Sequence, residues 1–215
     1  MKKELIIIGA GGHAAELREY IDIHNQARPA DRFRVLGYID DDPSMHEHYE
    51  YEESYLGDIA SHTVRSDIWY LMAIANLKYR EPLIRQFQGK GACFTGLIHP
   101  TALIASTAEI GEGVIISHNA SLGPKVKIGD FNMLNSRCTI GHDTVLGNYN
   151  FISPQVALSG NTTIGDGNLL GTNAATIPGV TIGNGSIIGA GAVVIKDVPD
   201  KVVIVGNKSK ILKKL

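Results

Sequence analysis

AEIGEG (108–113), VKIGDF (126–131), CTIGHD (138–143), TTIGDG (162–167) and VTIGNG (180–185) belong to a six-residue repeat that decides the fold. Written in blocks of six from Ala102 to Asp197, the chain puts Ile, Leu or Val in the third column of fifteen blocks out of sixteen, from Ile104 and Ile110 to Ile188 and Val194. The exception is Thr176, and the register runs through 96 residues without an insertion. A period of six excludes an amphipathic helix, whose period is about 3.6. A sandwich strand alternates with period two and breaks at irregular turns. A short extended segment followed by a tight turn, repeated identically, predicts a β-solenoid. The aliphatic column points inward and stacks on the next coil. The glycine that commonly follows it is read as supplying turn backbone that other residues resist.

Outside the repeat the composition changes. Of the 24 glycines in this 215-residue chain, 8 fall in residues 1–100 and 15 in residues 101–200, so two architectures are expected. The formal charge of −2 gives no electrostatic reason to expect nucleic acid or an anionic membrane as partner. No apolar run approaches the roughly 18–20 residues of a bilayer span. The four-residue apolar run near the start is too short for a signal-peptide core. Two cysteines, Cys93 and Cys138, with no CxxC argue against a disulfide framework or a cysteine zinc site and fit a reducing cytoplasm. No metal is expected.

The first hundred residues read as a small α/β unit. Leu5 to Ile8 is a buried parallel strand by pattern. Ala14, Leu17 and Ile21 mark a helix face, Val35–Ile39 a second strand and Ile68–Ile74 a third, before a helix over Lys78–Phe87. The acidic stretch Ser44–Tyr55 reads as a loop or mobile excursion. Between the first strand and helix lies Gly9-Ala10-Gly11-Gly12-His13-Ala14, a G-x-G-x-x-A turn. In that context the backbone N–H groups and the helix N-terminus suit a diphosphate. Asp40, with Asp41 after it, stands at the end of the second strand, where an acid reaches a ribose or base. NAD has little room, because about 90 residues hold half of a dinucleotide fold.

The hexads resemble the left-handed parallel β-helix of the hexapeptide-repeat acyltransferases, in which three hexads make an 18-residue coil. The glycine turn, Gly37-Tyr38-Ile39-Asp40-Asp41 and Ile98-His99-Pro100 narrow the likeness. Together they resemble the bacterial sugar acetyltransferases related to the sialic-acid O-acetyltransferase and the bacillosamine-pathway N-acetyltransferase. The resemblance implies residues 1–98 as a nucleotide-sugar-binding α/β domain and 99–215 as the β-helix with a short tail. It implies a cytoplasmic homotrimer with acetyl-CoA as cosubstrate between subunits. The activity implied is N-acetylation of a nucleotide-linked 4-amino-4,6-dideoxy sugar for bacterial surface glycan synthesis. O-acetylation of a sugar and a non-catalytic nucleotide-sugar scaffold are the alternatives.

The family motif, an Asn seven residues before a His followed by an acid, falls on Asn135, His142 and Asp143. The resemblance makes His142 the general base, Asp143 its orienter and Asn135 a substrate-positioning residue. It places Gly9, Gly11, Gly12, His13, Asp40 and Asp41 on the nucleotide sugar. Phe151, Gly160, Thr172, Pro178, Ala190 and Lys196 fall to acetyl-CoA. Phe151 replaces a second family histidine, and the tail Gly206-Asn207-Lys208-Ser209-Lys210 keeps only part of the family's G-x-P-A-K/R. With an 18-residue coil, His142 has Pro124 one coil before it and Gly160 one coil after, which predicts an open notch for the acyl donor beside the imidazole. His118, four hexads earlier, belongs to a different face. A histidine of ordinary pKa, about 6.5, accepts a proton near neutral pH, and an adjacent carboxylate fixes its tautomer. Adjacent residues on a strand point oppositely, so an Asp143 contact requires turn geometry. Cys138, in the small-residue first column, reads as packing and not as an acyl carrier.

Overall fold

The computed structural model describes residues 3–206 and divides into two compact units. One comprises residues up to 101 together with 112–117; the other comprises 102–111 and the chain from 118 onward.

In the first unit β1 (Lys3–Ile8), α1 (Gly12–Ala27), β2 (Phe33–Ile39), α2 (Pro43–His48), β3 (Ser54–Tyr55), β4 (Trp69–Met72), α3 (Leu77–Gly89) and β5 (Cys93–Phe94) follow one another. The strands form one parallel sheet in the order β3-β2-β1-β4-β5. Leu5 to Ile8 are buried in its centre, as a continuous apolar run in a covered parallel sheet requires. α1 buries Ala14, Leu17 and Ile21. α3 is capped by Asn76, whose side chain accepts from the Lys78 N–H (3.0 Å).

The acidic excursion is more ordered than its composition predicts. Asp42 caps α2 by accepting from the Ser44 N–H (3.0 Å), and Pro43 sits where its missing N–H costs nothing. Beyond α2, Tyr51 stacks on Tyr38 with centroids 4.0 Å apart, and Arg18 binds Glu53 at 2.7 Å. Polarity along the chain carries no trace of these ring and ion-pair contacts.

In the second unit every hexad contributes a two-residue strand, and strands 18 residues apart pair in parallel register. One face stacks Met133–Leu134, Phe151–Ile152, Leu169–Leu170 and Ile187–Ile188. The next stacks Ser121–Leu122, Thr139–Ile140, Ala157–Leu158, Ala175–Thr176 and Val193–Val194. The third stacks Lys127–Ile128, Val145–Leu146, Thr163–Ile164 and Thr181–Ile182. Leu122, Ile140, Leu158, Ile164 and Ile182 are all at most 2% exposed, so the aliphatic column is the core.

The glycines do a different job from the one their position suggests. The left-handed backbone falls on the sixth residue of each hexad, from Gly113 through Asn119, Lys125, Phe131, Arg137 and Asp143 to Gly191. Most of these residues are not glycine. The glycine after the aliphatic is demanded by close approach between coils: a Cβ at Gly141 would meet the Gly160 nitrogen at 2.5 Å, and one at Gly129 the Asn148 Oδ1 at 2.6 Å.

Polar ladders run beside the core. Asn132 Oδ1 accepts from the Asn150 N–H (2.9 Å), Asn150 Oδ1 from the Asn168 N–H (2.8 Å) and Asn168 Oδ1 from the Ser186 N–H (2.7 Å). All four residues are fully buried. Buried amides survive in such a core because each coil presents the next with a backbone donor.

Candidate active site

His142 stands at the corner after Thr139–Ile140, and its neighbour Asp143 takes the left-handed conformation at φ +56°. That conformation belongs to the hexad's sixth position, and it solves the geometric problem of adjacent residues: the carboxylate folds back to the ring. Asp143 Oδ2 lies 2.8 Å from His142 Nδ1. An ionised carboxylate accepts only, so Nδ1 carries the proton and Nε2 is left with its lone pair. The corner is braced by the Asn161 N–H donating to the His142 carbonyl and the Asp143 N–H donating to that of Pro124, each at 2.9 Å. Both side chains are solvent-accessible, His142 at 61% and Asp143 at 44%.

The coil stacking places Gly160 next to His142 as expected, but the space above it is not an open notch. The imidazole itself lies there: a Cβ at Gly160 would fall 2.6 Å from Nε2 and 2.7 Å from Cε1. Glycine makes room for the ring.

The other acetyl-CoA positions fall in two groups. Pro178 and Lys196 follow Gly160 along the His142 corner, and both are exposed. Exposed Ile177 and Ile195, which the hexad pattern does not single out, flank them at 40% and 62%. Thr172 and Ala190 lie at the other corner, after Leu169–Leu170 and Ile187–Ile188, and Phe151 lies on that first face, paired with Met133 and Leu169. Asn135 also belongs to that corner, where its Nδ2 donates to the Ile152 carbonyl (2.9 Å) at 8% exposure. Within one subunit Asn135 and His142 therefore occupy different corners of a coil. His118 follows Ile115–Ile116, away from the His142 corner, as its spacing predicts. The tail positions Asn207 to Leu215 lie outside the described residues.

Cys138 is fully buried, and burial pushes its thiol up to about 12, so no thiolate is on hand to carry an acyl group. Among the described residues no cluster of His, Cys, Asp or Glu has a metal-holding arrangement.

In the α/β unit the turn at Gly9 has φ +102°, which favours glycine, and α1 begins at Gly12 with no acidic residue in its first turn. That helix end offers N–H groups and a positive dipole to an anion. Asp40 ties the turn to β2: Oδ2 accepts from the Ala10 N–H (2.6 Å) and Oδ1 from the Asp42 N–H (2.9 Å). Asp41 Oδ1 accepts from the Ile59 N–H (2.9 Å). Each acid thus has a backbone partner before any ligand arrives. Tyr51 donates to the carbonyl of Ala10 (3.0 Å), and burial pushes its phenol up to about 12. His13 Nε2 is buried with no partner among the described residues, and its Nδ1 lies 3.4 Å from Glu16. A cavity of about 350 Å³ opens beside Asp40 and Asp41, with Ile59, Ile74, Lys78 and Tyr79 among its walls. Its size and mostly apolar lining suit a planar heterocycle. Lys78 and Tyr79 are neighbours on α3, Ile74 precedes that helix and Ile59 comes from the loop after β3, and nothing in their spacing announced the cavity.

A triangular solenoid of hexads with a corner His–Asp pair, in one chain with a glycine-turn α/β unit, defines a hexapeptide-repeat acyltransferase of the left-handed β-helix class. Residues 4–87 match the family model for the PglD N-terminal domain, and residues 161–196 that for the bacterial transferase hexapeptide (six repeats). PerB from Caulobacter crescentus, solved in complex with CoA and GDP-perosamine, is 30% identical, with 94% of each chain covered and a TM-score of 0.80. The acetyltransferase domain of PglB from Neisseria gonorrhoeae, solved with acetyl coenzyme A, is 27% identical over 99% of this chain and 100% of that one, with a TM-score of 0.82. A UDP-N-acetylbacillosamine N-acetyltransferase of Bacillus subtilis is 31% identical over 118 residues, 53% of this chain and 51% of that protein. The match thus spans about half the length of that curated relative. The chain belongs to the hexapeptide-repeat sugar acetyltransferases that carry a PglD-type N-terminal domain.

Proposed function

We propose that this protein transfers acetyl from acetyl-CoA to the 4-amino group of a nucleotide-linked 4-amino-4,6-dideoxy sugar. The carrying observation is the 2.8 Å contact that commits His142 Nδ1 to Asp143 and leaves Nε2 as proton acceptor. Nε2 takes the proton the amine loses as it attacks the thioester carbonyl. Asp143 holds the tautomer and stabilises the imidazolium. The tetrahedral oxyanion is met by a backbone N–H at Gly160, and its collapse expels the CoA thiolate.

The His142 corner suits acetyl-CoA. Ile177 and Ile195, beside Pro178 and Lys196, offer apolar surface for a pantetheine arm, and Lys196 adds a cation for the nucleotide end. Thr172, Ala190, Phe151 and Asn135 lie elsewhere in the same chain. They reach the same cosubstrate and sugar only if a neighbouring subunit supplies them, so the enzyme is read as a homotrimer with CoA between subunits. Residues 1–98 take the nucleotide sugar: the start of α1, with Gly9, Gly11, Gly12 and His13, faces the diphosphate, and the cavity beside Asp40 and Asp41 takes the base. Residues 99–215 perform the transfer. Two free thiols, one of them exposed, fit a cytoplasmic location. Among the described residues no helix is long and apolar enough to cross a membrane.

Thiol release from acetyl-CoA with UDP-, dTDP- and GDP-linked amino sugars tests the reading. Turnover with an amino sugar that disappears in His142→Ala supports it. Turnover only with a hydroxylated sugar transfers the reading to O-acetylation, and binding without turnover leaves a scaffold.

A further inference from the structure

Thr176 is the one residue that breaks the aliphatic column, and its hydroxyl sits where fifteen other coil positions are apolar. It is 5% exposed, so a hydroxyl there is costly unless it is bonded. It is bonded, and at a particular place. In neighbouring coils the residue after each strand donates its N–H to a carbonyl of the next coil: Gly123 to Ile140, Gly141 to Leu158 and Ile177 to Val194. At Ser159 the ladder is diverted. Its N–H donates to Thr176 Oγ1 (3.0 Å), and its own hydroxyl donates to the Thr176 carbonyl (2.6 Å). The strand pair there keeps one register partner, Ala157 with Ala175, where the flanking pairs keep two.

Two more threonines close the circuit. Thr162 Oγ1 and Thr144 Oγ1 both donate to the Ser159 carbonyl, at 2.8 and 3.1 Å. Thr162 Oγ1 lies 3.1 Å from Thr176 Oγ1. With the Thr162 proton given to Ser159, that last bond runs from Thr176 to Thr162. Each hydroxyl proton is then used once, and the N–H, C=O and hydroxyl of Ser159 are all held. The peptide so fixed is Ser159–Gly160; the His142 ring lies against the Gly160 Cα, and the peptide packs on Gly141, the residue before His142.

We propose that Thr176 is a positioning residue: through the Ser159–Gly160 peptide its hydroxyl sets where the His142 imidazole rests. The aliphatic alternative returns Ser159 to the ordinary ladder and turns the peptide under the ring. The kinetic consequence rests on the acyl-transfer reading above; the positioning itself does not.

The test compares Thr176→Val with Thr176→Ser. In the valine variant kcat falls about 10- to 100-fold, as for other small misplacements of a catalytic group. KM for acetyl-CoA and sugar stays within about twofold. The His142 Cε1–H resonance of the free protein shifts. In the serine variant both return toward the unsubstituted enzyme. Thr144→Val, which removes one of the two donors to the Ser159 carbonyl, shifts the resonance in the same direction by less. An unmoved resonance and normal kcat in Thr176→Val overturn the proposal, as does a serine variant equally impaired. A valine variant that fails to fold overturns it too, because the hydroxyl is then a stability requirement. If the unsubstituted protein transfers no acetyl group, the acyl-transfer reading fails alone, and the resonance comparison still decides the positioning.

Discussion

The His142 ring lies against the bare Cα of Gly160, in a space that a single methyl group abolishes: a Cβ at 160 would fall 2.6 Å from Nε2. Gly160→Ala therefore displaces the imidazole. Because the ring is 61% exposed, it swings away without disturbing the core. The expected result is a kcat about 10- to 100-fold lower, with a thermal midpoint close to that of the parent. A large drop in midpoint with normal turnover in the surviving protein would refute this account of Gly160.

Asp143 combines a charge with a left-handed backbone, and asparagine keeps the second while removing the first. Asn tolerates φ near +60° better than other non-glycine residues. Asp143→Asn should leave stability unchanged and lower kcat about 10- to 100-fold, less than the loss known for a buried triad aspartate, because this pair is open to water. His142→Ala, which removes the base, should cost roughly 10²–10⁴ in kcat. An Asp143→Asn enzyme as active as the parent would remove Asp143 from the mechanism.

Asn132 uses its whole amide. Nδ2 donates to the carbonyls of Gly129 (2.8 Å) and Gly147 (2.7 Å), and Oδ1 accepts from the Asn150 N–H. Asn132→Ala takes the partner from two part-buried carbonyls and from the fully buried Asn150 N–H, at about 1–3 kcal/mol for each buried group left unsatisfied. Asn150→Ala should cost less, since Asn150 Nδ2 has no partner among the described residues to lose. Denaturant midpoints of the two variants give the order directly, and the reverse order would contradict it.

The two cysteines should react differently. Cys93 is exposed, while Cys138 is buried with its thiol pushed up to about 12. One thiol per chain should react with an aromatic disulfide in the native protein, and both after unfolding. The Cys138 shift also carries a sign: the unfolded thiol ionises near its ordinary 9 while the folded one stays protonated, so stability falls as pH rises above that value. Native reaction of both thiols would contradict the burial.

Much of the site was legible in the sequence. The period of six places the third-column aliphatics in the core, and the 18-residue coil puts Gly160 on His142. The His–Asp pair was legible as a pair but not as a contact, because the left-handed sixth column is filled by Asp, Lys, Phe, Arg, Tyr, Gln, Asn and Gly alike and leaves no composition signal. The glycines after the aliphatics looked like turn residues, since sequence records a missing side chain but not whether a dihedral or a neighbour excludes it. The backbone partners of Asp40 and Asp41 at Ala10, Asp42 and Ile59 were not legible, because they are set by the loop's path.

By itself the sequence determined the solenoid, its register and which residues stand at its corners, because a strict repeat fixes which residues stack whatever the rest of the chain does. Only the tertiary structure decided where hydrogen bonds leave that repeat. Thr176 read as a lone blemish in an aliphatic column. Its meaning lies in Thr144, Ser159 and Thr162, which one-dimensional spacing scatters and the coil brings within hydrogen-bond distance.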